Sequence, residues 1–206
     1  PTALPRRAGA LYLQDPATDF WLARLSGPAE ALYVQYNAVT GRTRTPDGGG
    51  ETRAAFAARL AAQLDETGLP VIVDLRHNLG GNLNTFGPLL DVLSSHPALG
   101  GDGRLFALLG RRTYSAAAVF VDRLRAAAPV TLVGEPSGGG LNFFADNGPL
   151  TLPNSGVQVW VSSRPFRTVR DDDAPWHAPH VEVAPRGAEF FSGQDSALDA
   201  ARARLR

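Results

Sequence analysis

Pro70–Leu75 reads PVIVDL, an apolar run interrupted only by Asp74. A run without polar alternation marks a strand buried on both faces. Such strands belong to parallel sheets whose two faces are covered. The flanking sequence supplies the covering elements. Phe56, Leu60 and Leu64 recur at i, i+4, i+8 and predict a helix over 51–66, stopped by Gly68-Leu69-Pro70. A second helix is predicted near 84–95, with Phe86, Leu89, Leu90 and Leu93 on its apolar face, and a strand follows at Arg104–Leu109. Ser115–Ala128 reads as a third helix with Val119, Phe120 and Leu124 inward, and Pro129–Val133 as a third strand. Strand, helix, strand, helix, strand at roughly 30 residues per unit implies parallel strands joined by crossover helices.

The remainder is less regular. Leu11–Leu13, Phe20–Leu25 and Ala31–Tyr36 read as short strands separated by the turn signals Asp15-Pro16 and Gly27-Pro28. Residues 40–50 form a polar loop. Pro149–Leu152 and Val157–Ser163 flank Pro153-Asn154-Ser155-Gly156 and predict a hairpin. Residues 164–180 are irregular, and 193–206 close with a helix. The expected organisation is a loose lead-in over 1–9 and one α/β domain over 10–206, the length of a single well-buried core.

Composition excludes several chemistries. Lys+Arg and Asp+Glu are both 20, so no basic excess exists for a nucleic-acid backbone. No apolar run approaches the ~20 residues of a membrane helix. Cys is 0, which removes disulfides, thiolate metal sites and a cysteine nucleophile. Every basic residue is Arg, so no Schiff base, P-loop lysine or Ser–Lys dyad can come from this chain. Met is also 0 and the chain starts at Pro1, so a processed or truncated product is expected.

Three loops follow the three parallel strands, and the C-terminal ends of such strands are where sites sit. The first is Asp74-Leu75-Arg76-His77-Asn78-Leu79-Gly80-Gly81, a tight turn or a place where backbone N–H groups approach a ligand. The second, Gly110-Arg111-Arg112-Thr113-Tyr114-Ser115-Ala116-Ala117, puts Ser115 at a helix start as a cap or a nucleophile. The third, Gly134-Glu135-Pro136-Ser137-Gly138-Gly139-Gly140, is Gly-rich without a nucleotide-loop spacing, so no cofactor is expected.

Taken together, the order VIVDLR-x-N-x-GG, G-R-x-T-x-S-A-A, LVGEPSGG and LPNS resembles the tail-specific (C-terminal processing) protease family of serine peptidases, with its tricorn-core and retinoid-binding relatives. Leu32–Asn37 and Gly193–Leu198 add to the likeness, which covers about residues 20–203. The resemblance implies an α/β spiral fold related to Clp protease and crotonase, with a largely parallel core sheet and a C-terminal hairpin. It implies Ser115 as nucleophile and the N–H groups of Ala116 and of Gly80 or Gly81 as an oxyanion hole. It also implies a peptide or protein substrate and an extracytoplasmic location. Tyr36 and Asn37, with Gly138, Gly139 and Gly140, are expected to line the substrate cleft, although a buried Tyr and a turn Asn is an equal alternative for the first pair.

Two departures bear on activity. The family's lysine, 25 positions after the serine, is here Gly140, and Ala118 stands where many members have glutamate. A serine hydroxyl without a base is a weak nucleophile. His77 in the first loop and Glu135 in the third are the candidate replacements, each with a structural alternative as an exposed loop residue or a turn residue. His177 and His180 with Asp171–Asp173 make a weak metal motif, and no metal is expected. His96 reads as a last-turn residue complementing a helix dipole. Three functions therefore stand: a serine peptidase acting through a Ser115 acyl-enzyme, a non-catalytic peptide- or ligand-binding relative, and, ranked last, a crotonase-like acyl-thioester enzyme.

Overall fold

The computed structural model describes residues 9–44, 50–170 and 172–206, with no side-chain account at 146 and 147. Most of the lead-in, the middle of the 40–50 loop and Asp171 lie outside the described residues. Among the described residues are eight strands: β1 (Phe20–Leu25), β2 (Ala31–Tyr36), β3 (Val71–Asp74), β4 (Leu105–Leu109), β5 (Val130–Gly134), β6 (Asn142–Thr151), β7 (Gln158–Arg167) and β8 (Val181–Glu182). The helices are α1 (Arg53–Thr67), α2 (Gly87–Ser95), α3 (Ala116–Ala127), α4 (Gly187–Ser192) and α5 (Ser196–Arg202).

One sheet runs in the order β1-β2-β3-β4-β5-β8. Only β1 is antiparallel to its neighbour; β2 to β5 and β8 are parallel. The alternation of side chains in β3 explains the unbroken apolar run. Val71, Val73 and Leu75 pack with Phe56 and Leu60 of α1, Leu89 and Leu93 of α2, and Phe120 and Leu124 of α3. Ile72 faces the other way, with Phe106, Leu108, Val133 and the α5 residues Leu198 and Ala201. Both faces are dry, as the sequence requires.

Local signals place the helix ends. Thr52 accepts from the Ala55 N–H at 3.2 Å to start α1, and Gly68 ends it in the left-handed conformation at φ 58°. Asp195 caps α5 by accepting from the Leu198 N–H at 3.1 Å.

Some elements differ from expectation. Leu11–Leu13 is a 3-10 turn, not a strand: the Leu13 N–H bonds back to Ala10 O at 3.2 Å and no strand pairs with it. The hairpin is longer than the sequence suggests, with ten residues in each strand pairing from Asn142↔Arg167 to Thr151↔Gln158. The segment 164–180 is thus partly strand, and α4 precedes the closing helix. Among the described residues no helix is long and apolar enough to cross a membrane.

Candidate active site

The three loops converge around Ser115. This residue sits immediately before α3 with φ 57° and ψ −125°, and it is the one described non-glycine residue with positive φ. Holding a side chain in such a sparsely populated region costs about 1–3 kcal/mol. Ser115 makes no side-chain cap bond. Its hydroxyl is therefore not spent on starting the helix, and the capping alternative raised by the sequence does not apply. It opens into a cleft of about 400 Å³ lined by Gly81, Leu83, Ala116, Phe143, Trp160 and Phe166.

The first loop abuts it. A Cβ at Gly80 would lie 2.7 Å from the Ser115 Cβ and 2.8 Å from the Ala116 nitrogen, and Gly80 has φ 100°. Gly81, at φ 141°, would drive a Cβ to 2.2 Å from Val39 O. Only glycine lets this backbone run so close to the serine. The Gly80 N–H is taken: it donates to the Asn78 side-chain oxygen at 2.9 Å. The N–H groups of Gly81 and Ala116 have no acceptor among the described residues, and both residues line the cleft with Ser115. Two unpaired donors beside a hydroxyl are what an acyl-transfer oxyanion needs.

Asn78 and Thr113 hold this arrangement, a role that their residue types alone do not announce. Buried Asn78 donates from its amide to Tyr36 O at 2.8 Å, and its own carbonyl accepts from the Tyr114 N–H at 3.0 Å. Buried Thr113 donates to Leu75 O at 2.9 Å and accepts from the Gly110 N–H at 3.1 Å. Their presence inside the R-x-N-x-GG and T-x-S motifs was the available signal.

The third loop lies alongside. A Cβ at Gly139 would meet the Tyr114 ring at 2.8 Å and the Ser115 nitrogen at 3.7 Å, and one at Gly138 would strike Arg111 O at 1.9 Å. A Cβ at Gly140 would lie 3.0 Å from Ala174 O, so the 174–175 segment stands where a side chain would leave that position.

The candidate bases lie elsewhere. His77 and Glu135 line a second cleft that does not include Ser115. His77 stacks on Tyr12 with ring centroids 5.3 Å apart, and burial, opposed by Asp74 and reinforced by Arg76 and Arg112, pushes its pKa down. Glu135 pairs with Arg111 at 3.0 Å. Tyr36 is fully buried against Phe120 and Arg53, its hydroxyl has no hydrogen-bond partner, and burial pushes its pKa up to about 12. Half-buried Asn37 donates to Thr18 O at 2.9 Å and accepts from Gln35 at 2.7 Å. Neither residue lines the Ser115 cleft.

His177 and His180 do not share a site. The His177 ring spans the Asp122 carboxylate, at 2.7 Å from Nε2, and the Ser137 hydroxyl, at 3.0 Å from Nδ1. Ser137 also donates to Gly139 O at 2.8 Å, and Thr168 donates to the other Asp122 oxygen at 2.7 Å. This buried chain joins α3, the third loop and the 168–177 segment. Nothing in the sequence separation of 122, 137 and 177 announces it. His180 accepts from the Leu132 N–H at 2.9 Å. His96 ends α2, lies 3.2 Å from Asp65 and accepts from the Ala98 N–H at 3.3 Å.

No family model matches the sequence, and no curated protein matches it. Solved structures do match the fold. A protein of Bacteroides fragilis NCTC 9343 named as an S41 protease superposes with a TM-score of 0.60 at 16% identity, over 88% of this chain and 56% of its own. The photosystem II D1 C-terminal processing protease gives 0.54 at 20%, over 87% and 53%. This chain has the fold of a C-terminal processing protease. A protein of Parabacteroides merdae ATCC 43184 named as a peptidase gives 0.57 at 21%, over 90% and 64%. The chain thus spans between about half and two thirds of the length of these three structures.

Proposed function

We propose that this chain is a serine-type peptidase domain acting on peptide or protein substrates through an acyl-enzyme at Ser115. The observation that carries the reading is the conformation of Ser115: a strained backbone at a helix head, an uncapped hydroxyl, and the unpaired N–H groups of Ala116 and Gly81 beside it. In this reading Ser115 Oγ forms a bond to the scissile carbonyl carbon and gives up its proton. The carbonyl electrons move onto oxygen, where the two N–H groups hold them. Collapse breaks the C–N bond and expels the amine, which takes the proton that Ser115 lost. Water then adds to the acyl carbon, the ester C–O bond breaks, and Ser115 regains its hydroxyl as the carboxylic acid leaves. Strain kept at one serine of a largely regular backbone supports a chemical role.

A second reading is favoured by a specific observation. Lys is absent, Gly140 leaves no side chain toward Ser115, and the candidates His77 and Glu135 line the other cleft. A non-catalytic relative would keep the cleft and bind peptides or a small apolar ligand without turning them over.

One experiment separates the two. The chain is treated with a fluorophosphonate, which modifies a serine only where its hydroxyl is activated, and digested for mass spectrometry. Peptide hydrolysis is followed in parallel. An adduct on Ser115, absent in Ser115→Ala, together with Ser115-dependent hydrolysis, is the peptidase outcome. No adduct and no hydrolysis select the binding relative. Hydrolysis that persists in Ser115→Ala removes the nucleophile assignment.

A further inference from the structure

The second cleft, of about 210 Å³, takes different residues of the same three loops: Arg76–His77, Gly110–Arg112 and Gly134–Glu135. The chain from Val183 to Ala197 closes it. Most of its charges are already satisfied. Arg76 lies between Asp74 and Asp195, at 2.5 and 2.7 Å, and Arg111 holds Glu135 at 3.0 Å. Three charged side chains at its wall have no ion-pair partner among the described residues: Arg112, Arg186 and Glu189. The rest of the wall is apolar, chiefly Leu109, Val183, Phe190 and the Tyr12 ring.

We propose that this cleft binds a free zwitterionic α-amino acid with an apolar side chain. Its carboxylate pairs with Arg112 and Arg186, its ammonium with Glu189, and its side chain packs on Leu109, Val183 and Phe190. Size and charge both select this class. The volume is below the range of about 300–1,000 Å³ usual for drug-sized ligands and suits a single residue. Two open guanidiniums favour an anion, and a polyanion is disfavoured by Glu189 and Asp195 beside them. A zwitterion matches both signs. The site does not depend on the peptidase reading, since none of these groups touches Ser115.

Isothermal titration of the whole chain, and of Ser115→Ala, with L-leucine and L-phenylalanine tests this. Saturable binding is expected in both proteins. L-Leucinamide, which lacks the carboxylate, should bind at least tenfold more weakly, as should L-leucine to the Arg112→Gln/Arg186→Gln protein. Glu189→Gln should weaken L-leucine and leave N-acetyl-L-leucine, which lacks the ammonium, unchanged. All three side chains are at the surface or half-buried, so these variants keep the fold. No saturation by either amino acid up to about 50 mM overturns the proposal. So does equal binding of leucinamide, or tighter binding of inorganic phosphate than of either amino acid.

Discussion

At the scale of single residues, Ser115 carries the most information, because its backbone sits where a side chain is disfavoured. Glycine adopts that conformation without strain but gives the unfolded chain more freedom to lose. Strain relief of about 1–3 kcal/mol outweighs the entropic loss of up to about 1 kcal/mol. Ser115→Gly is therefore expected to stabilise the protein by about 1 kcal/mol, read as a higher midpoint in urea unfolding. Ser115→Ala keeps the Cβ and the strain and should show no such gain. Equal midpoints for the glycine and alanine variants would show that the backbone there is not strained.

At the scale of elements, the site depends on loops held together by buried polar bonds. The chain Thr168–Asp122–His177–Ser137–Gly139 ties α3 to the third loop, which flanks Ser115. His177→Ala would leave one oxygen of the Asp122 carboxylate without its partner and open a cavity where the ring stood, while Ser137 keeps Gly139 O and the backbone N–H of residue 177. A loss of about 2–4 kcal/mol is expected, measured by chemical denaturation at neutral pH. A loss within about 0.5 kcal/mol, as at an ordinary surface position, would mean that water or neighbouring groups take over these bonds. The hairpin is the contrasting element. Its residues Leu150, Val159, Trp160 and Val161 are exposed, and Trp160 also lines the cleft with Phe143 and Phe166.

At the scale of the whole molecule, stability should respond to acid through His77. Burial lowers its folded pKa below the ordinary histidine value, so the unfolded chain binds the proton more readily. Stability from this group is present above about pH 6.5 and is lost as pH falls toward the lowered folded value. His77→Asn should remove that part of the pH dependence. The stability gap between the parent chain and the variant should move in the variant's favour between pH 7.5 and 5.5. A pH-independent gap would contradict the direction of the shift. Asp74 acts at lower pH: burial opposes its charge, Arg76 more than restores it, and its contribution is lost only as pH falls through its lowered pKa.

The parallel core was legible in the sequence because each of its determinants is local: the unbroken run of β3, the 3.6-residue period of α1, and the glycines that end both helix and strand. Ser115, Gly81 and Ala116 could be named because they lie in short motifs after those strands. Residues 142–148 of β6, the strand β8 and the turn at Leu11–Leu13 were not legible, because two or three residues carry little periodicity and an exposed ribbon need not alternate. What tertiary structure alone decided was which loop residues share a cleft. His77 is four residues from Gly81, yet the turn between them sends it to the other cleft. His177 reaches Asp122 and Ser137 across 55 and 40 positions. Period and turn chemistry act over a few residues, whereas the meeting of two side chains from distant loops depends on how the sheet is ordered and covered.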